Sequence, residues 1–198
     1  MLEQKKAYIF IGKSGSGKGT QAELLRKMLL EKNPNDKVIY EETGALFREF
    51  INEDTYTSDL ANAIMRSGER QPSFLAVLMW GNMLLKTLTG GEHLIMDGTP
   101  RTLVEAYILE TALSFYNFSP TFIYVNISDK EATRRLLARG REDDKKIEEI
   151  KKRLAWFEKD VIPALLYFRR HSTYKFVEIN GEVAVEEVHK AILKELFS

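Results

Sequence analysis

Four glycines crowd the nine residues Gly12-Lys13-Ser14-Gly15-Ser16-Gly17-Lys18-Gly19-Thr20, and this crowding limits what the chain can fold into more than any other feature. Glycine at this density keeps side chains out of the way, so several backbone N–H groups can converge on one polyphosphate while Lys18 adds a mobile positive charge. The flanking segments are those such a loop requires. Ala7-Tyr8-Ile9-Phe10-Ile11 reads as a buried strand entering it, and Ala22, Leu25 and Leu29 recur at helical spacing after it. Strand, loop and helix in that order bring the helix N-terminus, with its dipole and unpaired N–H groups, to the anion. One position departs from the strict pattern: Gly19 follows Lys18 where Ser or Thr is usual, and Thr20 comes next as the hydroxyl that could serve Mg²⁺. The bland alternative, an ordinary glycine-rich turn, has these flanking elements against it.

Composition narrows the chemistry. At 198 residues and 44% hydrophobic, the chain can bury a full core, and its length fits one α/β domain spanning 1–198 with a small insertion. Lys plus Arg and Asp plus Glu number 29 each, so no overall positive field would recruit nucleic acid or an acidic membrane, and any anion site must be local. The lack of cysteine excludes disulfides and cysteine zinc sites. Met1-Leu2-Glu3-Gln4-Lys5-Lys6 runs directly into the first strand without a long apolar stretch, which predicts a cytoplasmic chain with neither signal peptide nor membrane helix.

Short β-rich runs alternate with longer helical patterns, and no repeat or linker divides them. That alternation predicts a parallel sheet flanked by helices on both faces. After the first strand the candidates are Lys37 to Glu41, His93 to Asp97, Thr121 to Ile127 and Tyr174 to Ile179. Residues 43–89 hold three helical patterns and no strand, longer than a plain crossover needs, and read as a helical insertion riding on the sheet. Ser128 with Glu131 gives a capping-box signature for a helix from Asp129 to Arg139. Ile147, Ile150, Leu154, Phe157, Val161, Leu165 and Phe168 form one apolar stripe, which Pro163 should end or kink. Val185, Val188, Ile192 and Leu196 mark a last helix.

A second layer of chemistry follows the third strand. Leu94-Ile95-Met96-Asp97 ends in a carboxylate, the partner a phosphate loop needs to organise Mg²⁺. Alone this says little, since many strands end in Asp at a turn. Gly98-Thr99-Pro100-Arg101 then sets a guanidinium at the carboxyl edge of the sheet, where ligands of such sheets bind. Arg134, Arg135, Arg139, Arg141 and Arg153 gather downstream. Most exposed arginines are merely solvated, but Arg153 borders the apolar stripe and Arg139-Gly140-Arg141 falls in a turn between two helices. Arginine's planar fork engages phosphate oxygens bidentately and never loses its charge. His93, His171 and His189 are scattered, show no metal-ligand spacing and read as structural.

These residues resemble the adenylate kinases and their nucleoside monophosphate kinase relatives over nearly the whole chain. Gly15-Ser16-Gly17-Lys18-Gly19-Thr20-Gln21 looks like that family's phosphate-loop variant and accounts for Gly19-Thr20. Thr43-Gly44-Ala45-Leu46-Phe47-Arg48 resembles Thr-Gly-Asp-x-x-Arg, with Ala where Asp is usual, and Gly68-Glu69-Arg70-Gln71-Pro72 resembles Gly-x-x-Val-Pro, with Gln71 for Val. Asp97-Gly98-Thr99-Pro100-Arg101-Thr102 resembles Asp-Gly-Phe-Pro-Arg-Thr, with Thr99 for Phe. Arg135, Arg139, Arg141 with Asp143-Asp144, and Arg153 match the arginines that line the family's phosphate channel.

The resemblance implies a P-loop kinase fold with a five-stranded parallel sheet, a helical monophosphate-binding insertion at 43–89 and a very short lid at 139–146. It implies reversible transfer of the ATP γ-phosphoryl to a nucleoside monophosphate, with Mg²⁺ as cofactor, nucleotides as the only partners and a monomeric chain. Gly15, Ser16, Gly17, Lys18, Gly19, Thr20 and Arg139 would bind ATP, while Thr20 and Asp97 organise Mg²⁺, Asp97 through water. Thr43, Gly44, Arg48, Gln71, Gly98, Arg101, Glu105, Arg141 and Arg153 would hold the monophosphate. Lys18, Arg101, Arg135, Arg141 and Arg153 would stabilise the charge of the transferred group. AMP is the acceptor the family implies. Glu105, however, stands where adenylate kinases carry a Gln that reads adenine, and a carboxylate only accepts hydrogen bonds. The N1–H and N2–H₂ of guanine would suit it better, which leaves GMP or a broad acceptor choice open. A nucleotide-binding regulatory module without transfer is the reading from another class, and the full arginine set argues against it.

Overall fold

The structure is a computed structural model that describes residues 5–141, 144, 146–171 and 173–197. Its strands β1 (Lys6–Ile11), β2 (Val38–Glu42), β3 (His93–Asp97), β4 (Ser119–Asn126) and β5 (Lys175–Asn180) form one sheet in the order β2-β3-β1-β4-β5, every pair parallel. All five segments expected from the sequence are present, with ends shifted by at most two residues. The largest shift has a cause in Pro120. Ser119 N–H donates to Lys5 O on the β1 side at 2.8 Å, so the next residue's N–H would point the other way, where pairing with β5 starts only at Thr121. A proline there removes no ladder bond, and the strand runs through it.

Helices cover both faces, so the strands can be apolar on both sides rather than alternating. On one side Tyr8, Phe10, Ile95, Ile123 and Val125 pack with Leu25 and Leu29 of α1 (Lys18–Lys32) and Val188 and Ile192 of α9 (Val185–Phe197). On the other, Ile9, Ile11, Met96 and Phe122 meet Trp80 and Leu84 of α4 (Ser73–Thr87), Leu109 and Leu113 of α5 (Leu103–Phe115), and Leu165 and Phe168 of α8 (Ile162–Arg170). Phe122 and Phe168 stack with ring centroids 3.8 Å apart. Each such side chain stabilises the fold by about 1.5–3 kcal/mol.

Two smaller clusters lie outside these layers. Phe47 of α2 (Thr43–Phe50), Ala61 of α3 (Tyr56–Arg66), and Leu75 and Ala76 at the start of α4 form one, so α4 serves both this cluster and the sheet. Ile127 joins Ala132 and Leu136 of α6 (Asp129–Arg139) with Ile150 and Leu154 of α7 (Ile147–Trp156) in the other.

Two local expectations are corrected. Only half of the capping box at α6 forms: Ser128 Oγ accepts from Glu131 N–H, but the Glu131 carboxylate is drawn to Arg134 and Arg135, and Ser128 N–H donates to Glu182 Oε1 at 2.7 Å instead. Charge-assisted bonds to two guanidinium groups outcompete a neutral backbone donor. Pro163 does not end its helix, which runs on from α7 through Phe157–Val161 into α8. The turn before it, Phe157–Val161, widens into a π-helical turn, with Ile162 N–H donating to Phe157 O five residues back, and Pro163 then sits in the first turn of α8 where its missing N–H costs nothing.

Candidate active site

β1 ends at the glycine loop, β2 at Glu42 and β3 at Asp97, and the register sets Phe10 and Glu42 on either side of Asp97. The carboxyl ends of these strands form the floor of a cavity of about 660 Å³.

The loop turns into α1 through Gly17, whose φ of 88° is left-handed and suits glycine. Lys13 fastens the loop from outside, its Nζ lying 2.6 Å from Asp129 and 3.0 Å from Glu158 of the π turn. Lys18 opens α1 and faces the cavity. Burial holds its ammonium below the usual lysine range, with the Asp97 charge opposing, and burial likewise pushes Asp97 up, with Lys18 opposing. Asp97 Oδ1 is buried without a hydrogen-bond partner, while Oδ2 accepts from the Tyr40 hydroxyl at 3.4 Å. A β-carbon on Gly19 would stand 2.8 Å from Asp97 Oδ2. The departure at position 19 thus has a steric cause: the carboxylate occupies the space a side chain would need.

The donors suit a hard cation. Asp97 offers an unpartnered carboxylate oxygen and Thr20 an exposed hydroxyl on the same cavity wall, and no group of three or more His, Cys, Asp or Glu gathers among the described residues. One carboxylate plus phosphate oxygens and water is the coordination that Mg²⁺ favours over an all-protein cage.

Gly44, Arg48, Gln71, Gly98 and Arg101 line the same cavity with Phe47 and Met65. Arg48 is held by Glu42, its Nη2 at 2.5 Å from Oε1, and Arg101 Nε donates to Gly98 O at 2.8 Å. Gln71 donates from Nε2 to Ala61 O at 2.7 Å, which leaves its Oε1 buried with no donor. Arg135, Arg139, Arg141 and Arg153 also line the cavity. Asp144, almost fully buried, accepts from Arg139 Nε at 2.8 Å and from Arg153 Nη2 at 2.7 Å, so one carboxylate aims two guanidinium groups. Arg135 is oriented by Glu131 and by Gly181 O.

Most of the residues singled out in the sequence therefore line this one cavity. Three are not on it. Ser16 lies beneath Gly12, whose β-carbon would come within 2.7 Å of Ser16 Oγ, and Thr43 is fully buried. Glu105, at the third position of α5, is also fully buried: Oε2 accepts from Arg101 N–H at 2.8 Å, and Oε1 has no hydrogen bond and lies 3.9 Å from Arg70 Nη1. The Arg101 N–H, just ahead of the Thr102 cap, and the Arg70 guanidinium draw the carboxylate inward. Arg134 turns to solvent on Glu131, and Asp143 lies outside the described residues.

Sequence reading missed Tyr40, Glu42 and Trp156 on the cavity wall. Glu42 had a signal: Ala45 lacks the carboxylate usual there, and an acid three residues earlier supplies one to Arg48. Tyr40 and Glu42 share a strand face by their spacing of two, whereas Glu41 turns into the interior, where burial pushes it up to about 8.

A family model described as adenylate kinase matches residues 10–173. The chain is 31% identical over 193 residues to an adenylate kinase from one strain of Prochlorococcus marinus, covering 97% of this chain and 99% of that one. It is 31% identical over 180 residues to the adenylate kinase of another strain of that species, MIT 9515, covering 90% and 93%, and 32% identical over 187 residues to one from Synechococcus sp. (strain RCC307), covering 93% and 97%.

Proposed function

Because the chain belongs to the adenylate kinase family and is thereby a nucleoside monophosphate kinase, we propose that it transfers the γ-phosphoryl of ATP reversibly to AMP, giving two molecules of ADP. One observation carries this reading: a single cavity is lined by the phosphate loop, by Arg48, Arg101 and Gln71, and by four further arginines, Arg135, Arg139, Arg141 and Arg153. A protein that only sensed ATP would have no use for the second anion site.

Phosphoryl transfer asks the protein for alignment and for charge around the moving group rather than for a nucleophile. The N–H groups of Gly15 to Thr20 and the Lys18 ammonium hold the β and γ phosphates. Thr20 and Asp97 would hold Mg²⁺, which screens the phosphate charge when bound. Arg48 and Arg101 grip the AMP phosphate, and Gln71 Oε1, an acceptor awaiting a donor, takes an N6 proton of adenine. Arg135, Arg139, Arg141 and Arg153 surround the transferred group, where one arginine can be worth ~10³–10⁵ in rate. The insertion at 43–89 would carry the acceptor, and the short lid expected at 139–146, of which residues 142, 143 and 145 lie outside the described residues, would close over the donor to exclude water.

A second acceptor has one observation in its favour. Gln71 Oε1 is an acceptor without a donor on a residue that lines the cavity, and it can take a proton from guanine N1–H or N2–H₂ as well as from adenine N6–H₂. Coupled assay of diphosphate formation from ATP with AMP, GMP, CMP and UMP tests the proposal. The highest kcat/KM is expected with AMP; no transfer to any monophosphate would overturn it.

A further inference from the structure

α4 and α5 run side by side over one face of the sheet and start in step, Ser73 Oγ lying 3.0 Å from Thr102 Oγ1. Each buries one side against the core, through Trp80 and Leu84 on α4 and Leu109 and Leu113 on α5. A helix of this kind should be polar on its opposite side. These two are not. Phe74, Leu78 and Leu85 on α4, and Val104, Ile108 and Phe115 on α5, are between 38% and 81% exposed. Both sets follow the same spacing, i, i+4 and i+11, and with the helix starts in register they make two parallel apolar rows. The skipped i+7 positions are Gly81 and Thr111, and nothing lies within 4 Å of the place a Gly81 β-carbon would take. No contact among the described residues calls for glycine in the middle of that helix.

Charge is missing from the same face. In a chain that is 29% charged, α4 and α5 hold only Lys86, Glu105 and Glu110. Glu105 is buried, and Glu110 is engaged by the Tyr174 hydroxyl and His171, which leaves Lys86. With roughly 150–250 Å² for each phenylalanine and less for each aliphatic side chain, the six leave on the order of 600 Å² of apolar surface in water, at the top of the range for the largest patch of an ordinary monomer and approaching the ~800 Å² that one partner contributes to a stable interface.

We propose that this face docks against the same face of a second copy of the chain, so that the protein is a two-fold symmetric dimer rather than the monomer its sequence suggested. A second copy fits better than a foreign partner for two reasons. A two-fold interface must be self-complementary, and a nearly uncharged apolar face does not repel its own copy. It also offers no charge pattern by which a different partner would be steered or selected. The low middle of the rows at Gly81 and Thr111 lets the two helix pairs approach closely.

Sedimentation velocity of the full chain, with Leu78→Arg and Phe115→Arg as separate variants, tests this. Both residues are exposed and lie away from the cavity, so each variant should keep the thermal midpoint of the wild type and its kcat/KM for AMP within about two-fold. The wild type is expected at twice 22.8 kDa at micromolar concentration, and both variants at 22.8 kDa, because the two-fold axis sets the introduced charges against an apolar, water-excluded surface. A wild type that stays monomeric up to about 100 μM would overturn the proposal, as would a dimer that survives both substitutions. So would a monomer that floats with vesicles of phosphatidylcholine and phosphatidylglycerol, since the face would then belong to a lipid surface.

Discussion

Gly19→Ala should separate catalysis from stability. Gly19 is the second residue of α1, and an added β-carbon would stand 2.8 Å from Asp97 Oδ2, about half an ångström inside ordinary contact. The pressure cannot be relieved by the backbone, because β3 is paired on both sides, so the Asp97 carboxylate must swing away by a comparable distance. A misplacement of 1 Å near a reacting group can cost ~10²-fold; half of that predicts a ten- to hundred-fold fall in kcat, about 1.4–2.7 kcal/mol of transition-state stabilisation. Stability should move little, since alanine gains about 1 kcal/mol of helix propensity over glycine and the crowding at Asp97 offsets it. The assay is kcat at saturating ATP and AMP over a Mg²⁺ titration, with the thermal midpoint measured in parallel. A variant with wild-type kcat would refute the assignment of Asp97, and a loss of activity matched by a large drop in midpoint would show that Gly19 serves the fold instead.

Three further outcomes are expected. Lys18→Ala should lower turnover by orders of magnitude and leave the thermal midpoint nearly unchanged, because a buried ammonium that already resists its charge gives the empty fold little; near-normal activity would remove Lys18 from the site. Glu105→Gln should lower kcat/KM for AMP and GMP together and leave their ratio unchanged, because its buried carboxylate accepts from the Arg101 N–H and faces Arg70 rather than the acceptor base. A ratio shifted roughly five-fold or more, the size of a buried mismatch of ~1–3 kcal/mol, would mean that the carboxyl reads the base. Glu41 is pushed up to about 8 from 4.5 by burial, so the folded state binds its proton more tightly than the unfolded state does. Its contribution is fully present below about 4.5 and is lost as pH rises through about 8. In urea unfolding, Glu41→Gln should therefore gain on the wild type by about 1.4 kcal/mol per pH unit across that window, and a constant difference between pH 5 and 8 would contradict it.

The sheet and the phosphate loop were legible because the sequence states them locally. β3 could be read to the residue, His93–Asp97, since an apolar run ends at a charge followed by glycine. The edges of β4 were not, because Pro120 reads as a breaker unless the start of β5 is known. Long-range pairing set what local pattern could not. Glu105 shows this most clearly: counting from Arg101 gives its place in a family motif, but only the folded chain reveals that the Arg101 N–H and the Arg70 guanidinium draw its carboxylate away from the cavity. Asp144 was noted as part of a motif, yet its hold on Arg139 and Arg153 depends on the packing of α6 against α7.

The π turn at Phe157–Val161 resolves an apparent contradiction in the apolar stripe. Numbered along an unbroken α-helix, Ile150 through Phe168 would all face one way, yet Ile150 and Leu154 pack with α6 while Leu165 and Phe168 pack on the sheet. One extra residue in the ladder turns everything after it by about 100°, so a single helical stretch can address two neighbours that lie in different directions. Chain length is therefore counted to the single residue here. Deleting any one residue of the turn would restore an even helix and swing Phe168 out of its stack on Phe122. It would also release the two grips the turn extends in opposite directions, Glu158 on Lys13 of the phosphate loop and Asp160 on Arg70 beside the acceptor wall. The stretch tolerates substitution far better than it tolerates a change of length.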